Sequence, residues 1–99
     1  MQPIPFETGR VVTSTQGRDR KRSFVVLDVP EEGFVLMADG LTRRLDHPKK
    51  KKTKHLKPRP VRMAQLQQMR QERRLKDSDL RAFLKEQGYG PEQPLCEED

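Results

Sequence analysis

The sequence predicts a mainly β fold, a small barrel of short strands followed by one or two C-terminal helices, and three observations carry that expectation. Ninety-nine residues with 31% hydrophobic and 36% charged side chains support one domain with a small core and a wide polar surface, too small to enclose a large substrate. Over the first sixty residues, short β-branched and apolar runs alternate with Gly, Pro and Asp turn signals. Beyond residue 62 the apolar residues recur at the three- and four-residue spacing of helices.

Residues 9–14, Gly-Arg-Val-Val-Thr-Ser, form the first expected strand. Thr15-Gln16-Gly17 ends it, because glycine accepts the positive φ of a turn. Residues 22–29 give the strongest strand signal, closed by the turn cluster Pro30-Glu31-Glu32-Gly33. The chain then returns over residues 33–39. Asp39-Gly40 predicts a type I′ turn, and residues 41–46 alternate apolar with polar or charged side chains as a fourth short strand. Phe24 and Val26 face one way in the central strand, while Val25, Leu27 and Val29 face the other. A sheet buried on one face would not need both sets apolar; a strongly curved sheet closed into a barrel, partly covered outside by a helix or loop, would.

Pro48, Pro58 and Pro60 break any helix, and Lys49 to Lys52 repel one another, so residues 48–60 read as a loop that can end in a strand near residues 54–57. From Met63 the pattern turns helical, with Met63, Leu66 and Met69 forming a narrow apolar stripe. A second helix is better punctuated. Asp77 or Ser78 can cap its start, Leu80, Phe83 and Leu84 form its apolar face, and Gly88 is placed for its C-terminal turn. Residues 90–99, with two prolines and an acidic end, are expected to be disordered. The organisation is then a β unit with a basic loop over residues 1–60, a helical extension over 61–88 and an acidic tail over 89–99.

Charge is the second theme. Lys and Arg total 21 against 15 Asp and Glu, for a net of +6, which points to an anionic partner. Up to residue 60 there are 14 basic and 7 acidic residues, and beyond it 7 basic and 8 acidic. Residues 43–62 alone hold ten basic residues and one acidic. The longest apolar run has five residues, 34–38, against the roughly 20 of a membrane span. The opening Met-Gln-Pro-Ile-Pro has neither the basic start nor the apolar stretch of a signal peptide. A soluble cytoplasmic protein without membrane contact is expected. The single cysteine, Cys96, has no partner for an internal disulfide and no companion ligands for a structural zinc.

Residues 9–19, Gly-Arg-Val-Val-Thr-Ser-Thr-Gln-Gly-Arg-Asp, followed by Phe24-Val-Val-Leu-Asp28, resemble a KOW motif, the strand, glycine loop and strand unit of several ribosomal proteins and transcription elongation factors. The continuation, Asp39-Gly40, then Arg43-Arg44-Leu45, then Pro48-Lys-Lys-Lys-Lys-Thr-Lys-His55-Leu56, is similar to the ribosomal protein family named L fourteen e and to its small bacterial relatives described as KOW-domain RNA-binding proteins. The likeness covers roughly residues 7–58. It implies a five-stranded SH3-like barrel that binds RNA, usually ribosomal RNA, without catalysis. One departure is visible: where the motif often carries a second glycine, this chain has Arg20, Lys21 and Arg22.

The expected RNA-binding residues fall in two groups. Arg18, Arg20, Lys21 and Arg22 crowd a short turn with only Asp19 to offset them, and guanidinium groups can hold phosphate through paired N–H bonds. Lys49, Lys50, Lys51, Lys52, Lys54, His55 and Lys57 lie in a run tethered at both ends, which lowers the cost of ordering it along a phosphate backbone. Arg43 and Arg44 would point to opposite faces of a regular strand, so only one joins that surface. The plainer reading of both groups is a solvated polar loop, and a lysine run also matches a nuclear-localisation signal. Gly9, Gly17 and Gly40 are read as structural turn positions.

Phe24, Phe34 and Phe83 read as core, and the pattern assigns no place to Phe6 or Tyr89. No aromatic therefore stands out as a stacking platform, which predicts a protein that reads backbone and shape more than base sequence. His47 and His55 lack a third ligand, so no metal or cofactor site is expected. No serine or cysteine nucleophile has a recognisable base partner, and no phosphate-cradling Gly-Lys-Ser/Thr loop is present, which argues against an enzyme with a small-molecule substrate. The leading expectation is a non-enzymatic RNA-binding protein of ribosomal RNA or the ribosome, with ribosomal proteins as further partners. The alternative is a protein-interaction adaptor, associated with the ribosome or RNA polymerase, that uses the barrel or the Leu80, Phe83, Leu84 helix. Charge alone would equally suit DNA or a membrane surface.

Overall fold

The structure is a computed structural model and describes residues 4–17 and 20–90. Among them the chain forms β1 (Arg10–Ser14), β2 (Ser23–Glu31), β3 (Phe34–Ala38), β4 (Lys49–Lys52), a 3-10 turn (Thr53–His55), β5 (Leu56–Arg62), α1 (Leu66–Gln71) and α2 (Asp77–Glu86). The five strands make one sheet in the order β4-β3-β2-β1-β5, and every neighbouring pair is antiparallel. The expected mainly β fold with a helical extension is present, as an open five-stranded sheet and two helices. The two outer strands are consecutive in sequence, joined only by the 3-10 turn.

Both faces of this sheet are buried, as the two apolar sets of the central strand require. Val11 pairs with Val25 and Val25 with Ala38, which puts all three on one face. There they pack with Leu27, Met63, Leu66, Leu80 and Leu84 in a single buried cluster, so α1 and α2 cover this side. On the other face Val12, Phe24, Val26, Val35, Met37 and Leu56 bury one another, joined by the partly buried Phe6. Each fully buried side chain of this kind stabilises the fold by about 1.5–3 kcal/mol. Val29, expected to follow Val25 and Leu27 inward, is 38% exposed. The register shifts between Val26 and Asp28 and again before Glu31, and this breaks the alternation before Val29 is reached.

The segment over residues 41–46 is not the expected fourth strand, and Asp39 is the reason. Its Oδ1 accepts the backbone N–H groups of Leu41, Thr42 and Arg43 at 2.8–2.9 Å, and its Oδ2 accepts the Thr42 hydroxyl at 2.9 Å. The Asp39 and Gly40 N–H groups both reach the Arg43 carbonyl, and the Leu45 N–H goes to Asp77 Oδ1 at 2.7 Å. Donors that a ladder would need are thus engaged within the loop and with α2. The fourth strand is instead the lysine run, which pairs along β3 from Phe34↔Lys52 to Met37↔Lys49. Lys49 to Lys52 are therefore a strand where a loop was expected, and the final strand runs through Pro58 and Pro60 to Arg62. Pro30 also differs from expectation: it lies within β2, in its exposed, irregularly paired end.

Met63 does not begin a helix. Its N–H donates to the Gly9 carbonyl at 2.7 Å, while the Gly9 N–H donates to Val26 at 2.8 Å, so the chain is pinned to the sheet before α1 starts. Six residues then make α1, which ends with Arg73 at φ +59°. Lys76, not Asp77 or Ser78, is the N-cap of α2; the Asp79 carboxylate accepts the Lys76 N–H at 2.9 Å, and Asp77 and Asp79 place negative charge in the first turn. At the other end the expectation for Gly88 holds. It has φ +89°, its N–H meets the Lys85 carbonyl, and the Tyr89 N–H meets the Leu84 carbonyl at 2.7 Å, a Schellman turn. No helix among the described residues is long and apolar enough to cross a membrane.

Candidate nucleic-acid interface

Pairing with β3 sorts the four lysines by face. Lys49 and Lys51 stand opposite the buried Met37 and Val35 and are half-buried, whereas Lys50 and Lys52 stand opposite Leu36 and Phe34 and are exposed. Opposed residues in an antiparallel pair share a face, so the run presents two short rows rather than one continuous stripe. Lys50 Nζ lies 2.8 Å from Glu31 and 4.8 Å over the Phe34 ring. Phe34 is thus half-buried beneath a cation, not a core residue as expected.

The chain turns through the 3-10 segment beside the β1–β2 hairpin. The His55 carbonyl accepts the Thr15 N–H at 2.9 Å and the Thr15 hydroxyl at 3.0 Å, and Lys51 Nζ donates to the Gln16 carbonyl at 3.2 Å. Lys54 is exposed in that turn and Lys57 is exposed in β5. The lysine run and the start of the basic hairpin, separated by some thirty residues in sequence, therefore meet at one corner of the sheet.

The returning arm of the hairpin faces elsewhere. Lys21, at φ +71°, donates its N–H to the Ser14 carbonyl, and the Ser14 N–H reaches the Arg22 carbonyl. Arg20, Lys21 and Arg22 line a groove of about 670 Å³ together with Arg81 and Lys85 of α2 and with Tyr89. Gly17 takes φ +78° at the hairpin, as its turn assignment requires. Arg18 and Asp19 lie outside the described residues, as does Cys96.

Arg43 and Arg44 do not join the lysine surface. Arg43 is half-buried in the loop that Asp39 organises, and Arg44 Nε lies 3.5 Å from Asp77 at the start of α2. His47 sits exposed in the same loop, apart from His55. Among the described residues no three His, Cys, Asp or Glu gather as a metal site.

Four residues of the groove region escaped sequence reasoning. Arg81 and Lys85 were legible: with Ser78 they recur every three to four residues, marking one polar face of α2, a face that the apolar stripe of the same helix overshadowed. Tyr89 and Arg59 gave no local signal. Tyr89 is turned back onto the sheet by the Schellman turn, and the Arg59 guanidinium lies 5.8 Å from its ring centroid. Arg59 is held there by Thr13, whose Oγ1 accepts its Nε–H at 2.9 Å and also meets Ser23 Oγ at 2.9 Å. The apolar face of α2 that an adaptor would present is taken up internally: Leu80 and Leu84 are buried, and Phe83 packs on the same cluster. No family model matches the sequence.

Proposed function

We propose that this chain is a non-enzymatic, KOW-type RNA-binding protein of the cytoplasm, an SH3-like barrel capped by two helices, that attaches to ribosomal RNA or to the ribosome through phosphate contacts. The observation that carries the reading is the cationic run from Lys49 to Lys57, held as a strand and a turn beside the start of the hairpin, whose returning arm adds Arg20, Lys21 and Arg22 along the groove with α2. Barrel-like curvature is supported by the face on which sheet residues from β1, β2, β3 and β5 bury one another almost unaided, and by the single 3-10 turn that links the outer strands. The RNA assignment over DNA or membrane rests on the resemblance of residues 7–58.

Phosphate contacts make affinity depend on salt through counterion release. Neutralising about six phosphates gives a slope of log affinity against log salt near −4 to −5, at roughly 0.7–0.9 per contact. Filter binding of a ribosomal RNA fragment across a salt series measures it. Joint replacement of Lys49, Lys50, Lys51 and Lys52 by Gln should flatten the slope by about 3. A flat salt response, or no RNA retained at low salt, would sink the reading.

A further inference from the structure

The groove between the hairpin and α2 combines cations from two separate elements with an aromatic ring that lines the same open space. Arg20, Lys21 and Arg22 line it from the hairpin, Arg81 and Lys85 from α2. Arg81 is fixed in place by donating to the Gly40 carbonyl at 2.6 Å. Asp39 is the one carboxylate among the described lining residues, and its oxygens are turned to the N–H groups of the 41–43 loop. Among the described lining residues there are thus five cations and one anion. A volume of about 670 Å³ falls within the roughly 300–1,000 Å³ of small-ligand sites.

Tyr89 gives the groove a second kind of contact. Its backbone is locked by the Schellman turn, and the Thr13-anchored Arg59 guanidinium lies over its ring. A ring held in this way has little freedom left to lose when a flat group stacks on it. Aromatic rings beside phosphate-binding cations are how proteins grip unpaired bases.

We propose that this groove takes one unpaired nucleotide of a single strand, its base stacked against Tyr89 and its phosphate held by Arg20, Lys21, Arg22 and Lys85. The inference rests on the RNA reading above and adds to it a strand state and a contact to a base. A duplex, whose bases are stacked within the helix, cannot supply that contact. Stacking and phosphate pairing also separate by salt, since only the second releases counterions.

The test uses the full chain and three dye-labelled probes of about 12 nucleotides: an unstructured RNA, the same RNA as a duplex, and a single-stranded DNA of the same sequence. Binding is read by fluorescence anisotropy. Tyr89→Leu should weaken single-stranded RNA binding roughly tenfold or more while leaving the duplex within about twofold, and Tyr89→Phe should retain wild-type affinity. Lys85→Ala, an exposed position that does not endanger the fold, should weaken the same probe and reduce the salt slope by about 0.8. It decides the matter if Tyr89→Leu fails to fold by circular dichroism. Tyr89 is the chain's single tyrosine and there is no tryptophan, so a change in intrinsic emission on binding reports this groove alone. Unchanged single-strand affinity in Tyr89→Leu or, if that variant does not fold, in Lys85→Ala overturns the groove inference. If the lysine-strand variant still loses RNA, the phosphate reading stands without it. Wild type that binds none of the probes overturns both. Equal affinity for the DNA strand keeps the stacked nucleotide and overturns the RNA assignment alone.

Discussion

Gly9 holds together three parts of the chain with its two backbone groups, donating to Val26 and accepting from Met63, at φ +91°. A Cβ at this position would fall on the Met63 carbonyl oxygen, which belongs to the backbone and cannot swing away. Gly9→Ala therefore combines the left-handed penalty with a collision, and we expect a loss of about 2–4 kcal/mol by urea denaturation. Gly40 is built alike, at φ +78° with its missing Cβ facing the Asp77 carbonyl oxygen, and this close approach is what seats α2 on the 39–43 loop. Arg73 poses the reverse case. It occupies the left-handed position that ends α1, where its N–H meets the Arg70 carbonyl and the Arg74 N–H meets Met69, although arginine gains nothing from that conformation. Arg73→Gly keeps both hydrogen bonds and removes the strain, so thermal unfolding should shift upward, by the equivalent of about 0.5–1 kcal/mol.

Among the elements, the loop after β3 depends most on a single side chain. Asp39 is buried at 6% exposure and satisfies three N–H groups and a hydroxyl. Asp39→Ala leaves those donors without an acceptor, and the denaturation midpoint should fall by the equivalent of about 2–4 kcal/mol with an unchanged m value. The same loop marks the limit of what the sequence made legible. β1, β2, β3 and α2 were visible because their patterns are local: β-branched runs, a helical apolar stripe, a glycine stop. The 41–46 strand was expected on alternation alone, and alternation does not register a carboxylate that captures successive N–H groups or a distant Asp77 that takes a fourth. β4 was hidden for the opposite reason. Four lysines have little strand preference of their own, and Val35 and Met37 on the partner strand give Lys49 and Lys51 an apolar surface for their stems. For the site, the residue types were legible in the hairpin and the lysine run. Their placement, the lysines beside Thr15 and Gln16 and the hairpin cations beside α2, and the turn that brings Tyr89 to Arg59, depend on contacts between segments far apart in sequence.

At the scale of the whole molecule, sheet and helices are one cooperative object. Met63, Leu66, Leu80 and Leu84 are all buried against Val11, Val25, Leu27 and Ala38, and uncovering those four side chains would cost on the order of 10 kcal/mol, comparable with the 5–15 kcal/mol net stability typical of a domain. A chain truncated after Arg62 should therefore show no cooperative unfolding transition by circular dichroism, even though every strand is retained. The outer strands carry a further consequence. Among the described residues β4 and β5 are the edges of the sheet, and an edge is a template on which a second copy could add and sheets could grow into aggregates. β4 meets that hazard with four like charges, and β5 with Pro58 and Pro60, which have no N–H to offer. Replacing the exposed pair, Lys50→Val with Lys52→Val, should produce concentration-dependent light scattering absent from the wild type. The lysines that would attract a polyanion thus also serve solubility, and any polyanion that neutralises them removes the repulsion that keeps two such edges apart.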